Sequence, residues 1–286
     1  MNRFLEKPFH EQSRSIYARW RKFFPTIPFP VWLPFGAWFM GRNDYLGSTL
    51  TFDGFEPFER AFVQRFLQPG MTVLDIGAHH GYYTLLASKL VGSSGKVFAF
   101  EPSPRESKAL RLNLTLNRSK NVSPQPLALG KDETQADLFV VSKQQTGFNS
   151  LRPPSIPNPT IPLTVHVVRL DDWLRDARID RVDFIKLDVE GGELAVLQGG
   201  ADFLGRRPRP VILAELDDAR SKAWGHTAQD VAAHLSNLGF QWFTILESGI
   251  LQKKPLSVNQ YDGNLVAVPE ERLEQLSEIT TNGSRS

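Results

Sequence analysis

The sequence predicts an α/β protein with a mainly parallel, twisted sheet and helices on both faces. Short apolar runs alternate with amphipathic segments from residue 55 onward, and this alternation is typical of a parallel sheet that is covered on both sides. Glycines follow two of the runs and precede helical patterns. A late helix followed by two further strands predicts an antiparallel strand at the C-terminal edge.

The individual elements follow from local patterns. Strands are expected at 72–76, 96–102, 122–130, 182–188 and 210–216, added strands at 136–141 and 163–168, and two last strands at 240–246 and 264–269. Helices are expected at 56–67, from 82 onward, and at 104–117, 192–198 and 227–239. Pro124 and Pro126 confine the third strand to a sheet edge, because proline cannot donate to a ladder. Ser103 is a predicted N-cap.

Composition excludes several classes of protein. The 286 residues are 41% hydrophobic, which is enough for a packed core. The 33 basic and 31 acidic residues leave a formal charge of +2, which is too balanced to indicate nucleic-acid binding. The chain has no cysteine, so disulfides, thiolate catalysis and cysteine-ligated zinc are excluded. No apolar stretch reaches about 18 residues and no signal-peptide pattern is present, so a cytoplasmic location is expected.

The first 50 residues differ from the rest and form a predicted aromatic and basic extension. Residues 14–24 are basic and aromatic, and residues 25–40 are apolar with four prolines, which argue against a helix. Two hypotheses stand for this extension. It packs over the core or a substrate cleft, or it rests on the inner face of a membrane with its tryptophans at the interface. We expect the main domain at 51–272 and a tail at 273–286.

The stretch VLDIGAHHGYY at 73–83 predicts a cofactor-binding turn. Its apolar run contains Asp75. After this run, Gly77 and Gly81 bracket a tight turn, and a helix begins at Tyr82. Glycine permits backbone angles and close approaches that side chains forbid. The start of a helix offers free N–H groups to a polar ligand. A strand that leads through a glycine turn into a helix is therefore a candidate nucleotide site.

Acidic residues stand near the ends of four predicted strands: Asp75, Glu101, Asp188 and Glu215. Ligands of open α/β sheets bind beyond the carboxyl ends of the strands, so we expect these acids to share one site. The turn lacks the middle glycine of the dinucleotide fingerprint, and an acid on the first strand repels phosphate. Asp75 instead suits a cationic ligand such as the sulfonium and ammonium of S-adenosylmethionine, and Glu101 suits the two hydroxyls of a ribose.

At these motifs the chain resembles the FkbM family of S-adenosylmethionine-dependent methyltransferases. VLDIGAHHGYYTLLAS and FAFEPSP resemble the family's first and second motifs, and RLDDWL followed by VDFIKLDVEGGELAVLQGG resembles its most characteristic portion. GFNSL at 147–151 resembles its glycine–asparagine–serine stretch, with Phe148 inserted, and FDGFEPFERAFVQRFLQPG resembles its lead-in helix. The likeness spans residues 50–216. His79 stands where a typical member has asparagine.

The resemblance implies a Rossmann-like class I methyltransferase fold and S-adenosylmethionine as cofactor. It also implies methyl transfer to a hydroxyl oxygen of a sugar, glycolipid or polyketide, and it leaves the acceptor and the oligomeric state open. The residues expected at the cofactor are Asp75, Gly77, Ala78, His79, Gly81, Tyr82, Glu101, Pro102, Ser103, Ala128, Asn149 and Ser150.

Methyl transfer to a hydroxyl needs a place for the proton, and KLDVEGGE supplies the candidate bases. Asp188 and Glu190 are predicted to act on the acceptor hydroxyl, and Glu215 is expected to face the same space. Glu193 is expected to favour the dipole of the helix that it starts. Although we expect a site without metal, a carboxylate cluster also suits Mg²⁺. His226, which precedes a helix, is an alternative base.

Two functions from other classes stand as rival hypotheses. A nicotinamide-dependent oxidoreductase would use the same sheet and Glu101, but the missing glycine and Asp75 count against it. A non-catalytic, membrane-associated module would depend on residues 14–40. The intact acids and glycines of the predicted site argue against lost activity.

Overall fold

The structure is a computed structural model that describes residues 9–51, 54–141, 145–154, 158–255 and 261–281, with side chains from residue 16 onward. The first eight residues of the predicted extension and the last five of the predicted tail lie outside the described residues. The α-helices are α1 (Phe9–Phe23), α2 (Tyr45–Thr51), α3 (Pro57–Phe66), α4 (Tyr82–Val91), α5 (Pro104–Leu116), α6 (Leu170–Asp176), α7 (Glu193–Gly199), α8 (Ala201–Leu204), α9 (Asp218–Lys222) and α10 (Ala228–Asn237). The strands are β1 (Phe29–Leu33), β2 (Ala37–Gly41), β3 (Thr72–Ile76), β4 (Lys96–Phe100), β5 (Val122–Gln125), β6 (Ala128–Gly130), β7 (Thr134–Val141), β8 (Thr160–Arg169), β9 (Phe184–Leu187), β10 (Val211–Asp217), β11 (Phe240–Ile245), β12 (Leu251–Lys253), β13 (Asp262–Pro269) and β14 (Thr280–Thr281).

The main sheet has nine strands within the described ranges, in the order β14-β12-β11-β13-β10-β9-β3-β4-β5. The pairs from β10 to β5 are parallel, whereas β13 is antiparallel to both β10 and β11. The predicted antiparallel strand is therefore present as β13, but it lies between β10 and β11 and not at the edge, because β11, β12 and β14 continue the sheet beyond it. The α/β class with a mainly parallel sheet is confirmed.

The prediction of a single strand at 122–130 is wrong. Its first part, β5, pairs with β4 at the edge of the main sheet. Its second part, β6, pairs with β8 in a separate three-stranded sheet that also contains β7. Pro126 lies between the two strands, where its missing N–H interrupts the ladder. The edge position predicted from the prolines is confirmed, since β5 is the last strand of the main sheet.

The core occupies both faces of the main sheet. Val73 on β3 belongs to an apolar cluster with α3, α4 and α5, whereas its neighbours Leu74 and Ile76 belong to a second cluster with α6, α7 and α10. Successive side chains of a strand point to opposite faces, so both faces of β3 are buried. The carboxyl ends of the parallel strands consequently remain as the place where polar side chains meet a cavity.

The described part of the predicted extension packs against the domain. Strands β1 and β2 form a hairpin that buries Val31, Leu33 and Phe39 in the first cluster. The opposite face of the hairpin carries Trp32 and Trp38, which are 57% and 45% exposed. As the prolines predicted, residues 25–40 form no helix. The hairpin therefore covers the core with one face and presents an aromatic face to solvent.

Two asparagines of the segment that ends α5 hold the hairpin in place. The side-chain oxygen of Asn113 accepts the N–H of Met40 at 2.8 Å, and that of Asn117 accepts the N–H of Trp38 at 2.9 Å.

At the other end of the chain, Leu276 in the predicted tail is buried in the first cluster. Among the described residues, no helix has the length and apolarity needed to cross a bilayer.

Candidate active site

The turn after β3 is tight because Gly77 touches the loop after β9. Gly77 has a φ of +88°, and a Cβ at this position would lie 1.8 Å from the backbone oxygen of Asp188. The N–H groups of Gly77 and Ala78 donate to the carbonyl of Phe100 at 3.0 and 2.9 Å, which ties the turn to the end of β4. Helix α4 then begins directly after Gly81, whose φ is +90°. Glycine at position 77 is thus required by close approach and by backbone angle.

Asp75 is buried at the end of β3, with 2% of its surface exposed. Its carboxylate accepts a hydrogen bond from the hydroxyl of Thr84 on α4. Burial raises the pKa of Asp75 to about 6, while Thr84 and Lys186 act in the opposite direction. Asp75 is therefore mostly ionised at neutral pH and presents a negative charge beside the turn.

Glu101 follows β4 and is held by two backbone groups. Its Oε2 accepts the N–H of His79 at 2.8 Å, and its Oε1 accepts the N–H of Ser103 at 2.9 Å. Each carboxylate oxygen keeps a further lone pair for a ligand. Burial, followed by the nearby Glu106, raises the pKa of Glu101 to about 8. Without a ligand, Glu101 is therefore mostly protonated at neutral pH.

A cavity of about 790 Å³ opens at the carboxyl ends of the parallel strands, and this volume is typical of small-molecule sites. All predicted site residues except Gly81 and Ser103 line it: Asp75, Gly77, Ala78, His79, Tyr82, Glu101, Pro102, Ala128, Asn149, Ser150, Asp188, Glu190 and Glu215. Gly81 lies behind the wall, where a Cβ would come within 2.5 Å of Leu110. Ser103 acts through its backbone bond to Glu101.

The three predicted catalytic acids are clustered, with carboxylate oxygens of Asp188, Glu190 and Glu215 within 4.8 Å of one another. The Nζ of Lys186 lies 3.2 Å from Asp188 and 3.1 Å from the side-chain oxygen of Asn264. Burial acts to lower the pKa of Lys186, but Asp188 and the neighbouring carboxylates hold it above its usual range. Burial acts to raise the pKa of Asp188, but Lys186 outweighs it and keeps that pKa below its usual range. The pair is therefore charged at neutral pH.

Arg220 on α9 binds the other two acids. Its Nε lies 2.8 Å from Glu190, and its Nη1 contacts Glu215. Its guanidinium also stands 5.3 Å from the ring centroid of Phe148. Burial is the main cause that raises the pKa of both glutamates, and the nearby Asp188 raises it further, while Arg220 opposes the shift. The cluster thus combines an ionised aspartate with two glutamates that keep protons to higher pH.

Two further candidates are Glu193, which starts α7 as predicted, and His226. The Oε1 of Glu193 accepts the N–H groups of Val189 at 2.9 Å and Gly191 at 3.3 Å, so it braces the loop that carries Glu190 and does more than start α7. His226 is not among the residues that line the cavity, and burial lowers its pKa. The position of His226 therefore does not suit the role of general base.

Sequence reasoning missed several residues that line the cavity: Lys186, Arg220, Glu56, Asp44 and Thr146. Lysine is almost never buried unless it is paired, so its place inside the apolar run of β9 was an available signal. The other residues carry no local pattern. Asp44 and Glu56 come from segments before the glycine turn, whereas Thr146 and Arg220 lie within five residues of the predicted Asn149 and Glu215.

The extension supplies part of the cavity wall. Its contributions are Arg21, Asp44, Tyr45, Leu46 and Ser48. The Nε of Arg21 contacts the side chain of Asn43, and its Nη1 donates to Ser48 at 3.0 Å. The hydroxyl of Thr146, in the loop after β7, donates to Asp44 at 3.2 Å. The extension and this loop therefore meet directly above the glycine turn.

The chain is similar to several known proteins. The family described as the methyltransferase FkbM domain matches residues 75–242. The chain is 27% identical over 157 residues to the 2-O-methyltransferase NoeI of Sinorhizobium fredii, an alignment that covers 51% of this chain and 63% of NoeI. It is 28% identical over 177 residues to the 31-O-demethyl-FK506 methyltransferase FkbM of Streptomyces tacrolimicus, with 53% and 67% covered. A solved FkbM methyltransferase from Methylobacillus flagellatus is similar, with a TM-score of 0.43, 17% identity, and 80% of this chain and 56% of that one covered.

The chain spans less than two thirds of the length of NoeI. The family match itself covers more than half of this chain and runs from Asp75 on β3 to Trp242 on β11. It therefore contains the glycine turn, Glu101 and the whole carboxylate cluster. The chain belongs to the FkbM methyltransferase family.

Proposed function

We propose that the protein transfers the methyl group of S-adenosylmethionine to a hydroxyl oxygen of a small-molecule, glycan or glycolipid acceptor. The observation that supports this most strongly is a single cavity that joins the glycine turn to the carboxylate cluster. One end has the groups that suit a nucleoside with a cationic tail, and the other has candidate bases. Membership of a methyltransferase family favours this function over the nicotinamide-dependent alternative.

The chain's own residues fit the proposed cofactor. Gly77 lets the loops after β3 and β9 touch, since a Cβ there would lie 1.8 Å from the backbone oxygen of Asp188, and both residues border the cavity. Ionised Asp75 suits the cationic methionine end. Glu101 keeps one lone pair on each oxygen after accepting two backbone N–H groups, and these suit the two ribose hydroxyls. Ala128 belongs to the apolar part of the wall, which suits the adenine ring.

S-adenosylmethionine would supply an electrophilic methyl group, whose bond to sulfur breaks as the acceptor oxygen bonds to its carbon. Asp188 is the ionised member of the cluster, so we assign to it the hydrogen bond that orients the acceptor hydroxyl. Burial raises the pKa of Glu190, which makes its carboxylate a stronger proton acceptor, so we assign the departing proton to it. Glu215 and Arg220 hold this arrangement in place.

Two cations already neutralise the carboxylate cluster. Lys186 faces Asp188, and Arg220 faces both Glu190 and Glu215. These side chains supply the positive charge that Mg²⁺ would bring to such a cluster. The proposed mechanism therefore uses no metal.

The acceptor class is proposed from the cavity and from the relatives. NoeI is named a 2-O-methyltransferase and FkbM a 31-O-demethyl-FK506 methyltransferase, so both names specify an oxygen acceptor. In this chain, Phe148 and Trp224 line the cavity together with Glu190 and Arg220. Aromatic faces beside hydrogen-bonding charges suit a hydroxylated ring such as a sugar or a polyketide.

We also propose a peripheral membrane contact for the extension, which suits a glycolipid acceptor. Phe23, Trp32 and Trp38 are exposed, and residues 14–24 are rich in basic side chains. Exposed aromatic residues beside basic ones are typical of segments that bind anionic lipid surfaces.

Kinetics of two isosteric variants test the proposed chemistry. Asp188→Asn and Glu190→Gln keep side-chain size and remove a carboxylate. Glu190→Gln should lower turnover by about 10²–10⁴-fold, the usual contribution of a general base. Asp188→Asn should also lower turnover, because the acceptor hydroxyl loses the charged group that orients it, and neither change should cost much S-adenosylhomocysteine affinity. Asp172→Asn is the matched control, since its carboxylate pairs with Arg175 and is not among the groups that line the cavity. Near wild-type turnover in both variants would contradict the assignment.

A further inference from the structure

Three side chains link the N-terminal extension to the glycine turn. Asp44 precedes α2 and is 3% exposed, and its Oδ1 accepts the N–H of Gly47 at 2.8 Å. Its Oδ2 accepts a hydrogen bond from the hydroxyl of Thr146 at 3.2 Å. The oxygen of Thr146 lies 3.0 Å from Nε2 of His79, and the backbone N–H of His79 donates to Glu101. The extension is thus connected to the group proposed to bind the ribose.

The direction of these hydrogen bonds determines where His79 carries its proton. A threonine hydroxyl has one hydrogen, and the carboxylate of Asp44 receives it. Thr146 can then only accept from His79, so the proton of the imidazole is on Nε2 and the lone pair is on Nδ1. Burial lowers the pKa of His79 to about 4, so the ring is neutral at neutral pH and has a single N–H.

The ring of His79 is also restrained in space. It stacks on His80, with 3.8 Å between the ring centroids and 17° between the planes. His79 lines the cavity and its Nε2 contacts Thr146, so a ligand that hydrogen-bonds to this ring would do so at Nδ1. An ammonium group offers only donors, which matches a lone pair on that atom.

We propose that Asp44 is a positioning residue for the cofactor. Through Thr146 it holds His79 in the tautomer whose Nδ1 accepts a hydrogen bond from the ammonium group of S-adenosylmethionine. Asp44 lies before residues 75–242, which the family match covers, so the extension of this chain supplies the contact. The inference rests on the proposed cofactor, and its test therefore includes a measurement made without any cofactor.

Nitrogen-15 NMR of the histidine rings in the free protein is that measurement, with His79→Gln to assign the signals. The wild type should show the Nε2–H tautomer of His79. In Asp44→Asn, the amide oxygen keeps the bond to Gly47 and the amide N–H faces Thr146. The hydroxyl must then donate to His79, so the expected tautomer is Nδ1–H. A wild-type Nδ1–H tautomer, or an unchanged tautomer in Asp44→Asn, would overturn the proposal.

Calorimetric titration with S-adenosylhomocysteine gives the second readout. Thr146→Val breaks the link and should weaken binding by about tenfold, the usual effect of one lost hydrogen bond to a charged group. Thr146→Ser should restore wild-type affinity, and Asp44→Asn should weaken binding at least as much as Thr146→Val. Thr115→Val is the control, because its hydroxyl bonds only within the exposed face of α5.

The two readouts separate the possible failures. The Thr146→Val and Thr146→Ser pair decides the matter if Asp44→Asn does not fold. Thr146→Val binding within about twofold of the wild type would overturn the inference. A wild type that binds no S-adenosylhomocysteine would contradict the proposed function and with it the ammonium contact, whereas the tautomer measurement would still decide whether Asp44 controls His79.

Discussion

The pKa of Glu101 makes cofactor affinity depend on pH. Burial raises this pKa to about 8, so the free protein holds the proton at pH 7, whereas ribose hydroxyls favour the carboxylate that accepts from them. Binding must therefore release the proton. One pH unit below the pKa this costs about 1.4 kcal/mol, so affinity at pH 7 should be about tenfold weaker than at pH 9.

Isothermal titration calorimetry with S-adenosylhomocysteine measures both quantities. At pH 7, titrations in buffers of different ionisation enthalpy should show release of nearly one proton per ligand, and at pH 9 this contribution should vanish. Glu101→Gln should abolish the difference and weaken binding. Because the ligand's own ionisation is common to both proteins, their difference isolates Glu101.

Glu133→Gln is the matched control, since Glu133 is an exposed acid that contacts the ring of His166 away from the cavity. It should reproduce the wild-type profile. Equal wild-type affinity at pH 7 and pH 9, with no proton released, would refute the placement of Glu101 at the ribose. The same raised pKa also makes the free energy of unfolding depend on pH. Without ligand, the stabilising contribution of protonated Glu101 is lost as the pH rises from 4.5 through about 8.

Three further predictions concern the turn, the buried cation and the extension. Gly77→Ala should destabilise the protein by at least about 1–3 kcal/mol in chemical denaturation, because the new Cβ meets the backbone of Asp188; Gly147→Ala, which has open space, should be neutral. Lys186→Met should cost about 3–5 kcal/mol of unfolding free energy, since the carboxylates around it lose their cation, and full stability would contradict that account. Trp38→Ser should reduce sedimentation with anionic liposomes at low salt, and a wild type that does not sediment would refute the membrane contact.

Most elements of the fold could be predicted because their patterns are local. The run at 72–76 and the helix from Tyr82 occur as predicted, since β3 is apolar on both faces and Gly81 marks the turn. The segment 122–130 was mispredicted because nothing local indicates that β5 and β6 belong to different sheets. Sheet membership depends on β8, which is separated from the end of β6 by 29 intervening residues.

The site residues that lie at the ends of strands could be predicted from the sequence. Asp75, Glu101 and Asp188 follow from the rule that ligands bind beyond the carboxyl ends of parallel strands. Asp44 and Arg220 could not be predicted, because they come from a helix start in the extension and a short helix after β10. Asp44 lies 31 residues before Asp75, and Arg220, although only five residues after Glu215, has no periodic or spacing signal around it.

Transfer of a labelled methyl group tests the central claim most directly. The protein is incubated with S-adenosylmethionine that carries a deuterated methyl group and with fractions of small molecules, glycans and glycolipids, and the labelled product is then analysed by mass spectrometry. The account predicts one labelled methyl group on a hydroxyl oxygen, formed by the wild type and lost in Asp188→Asn. Label on nitrogen or carbon, or equal labelling by both proteins, would contradict it.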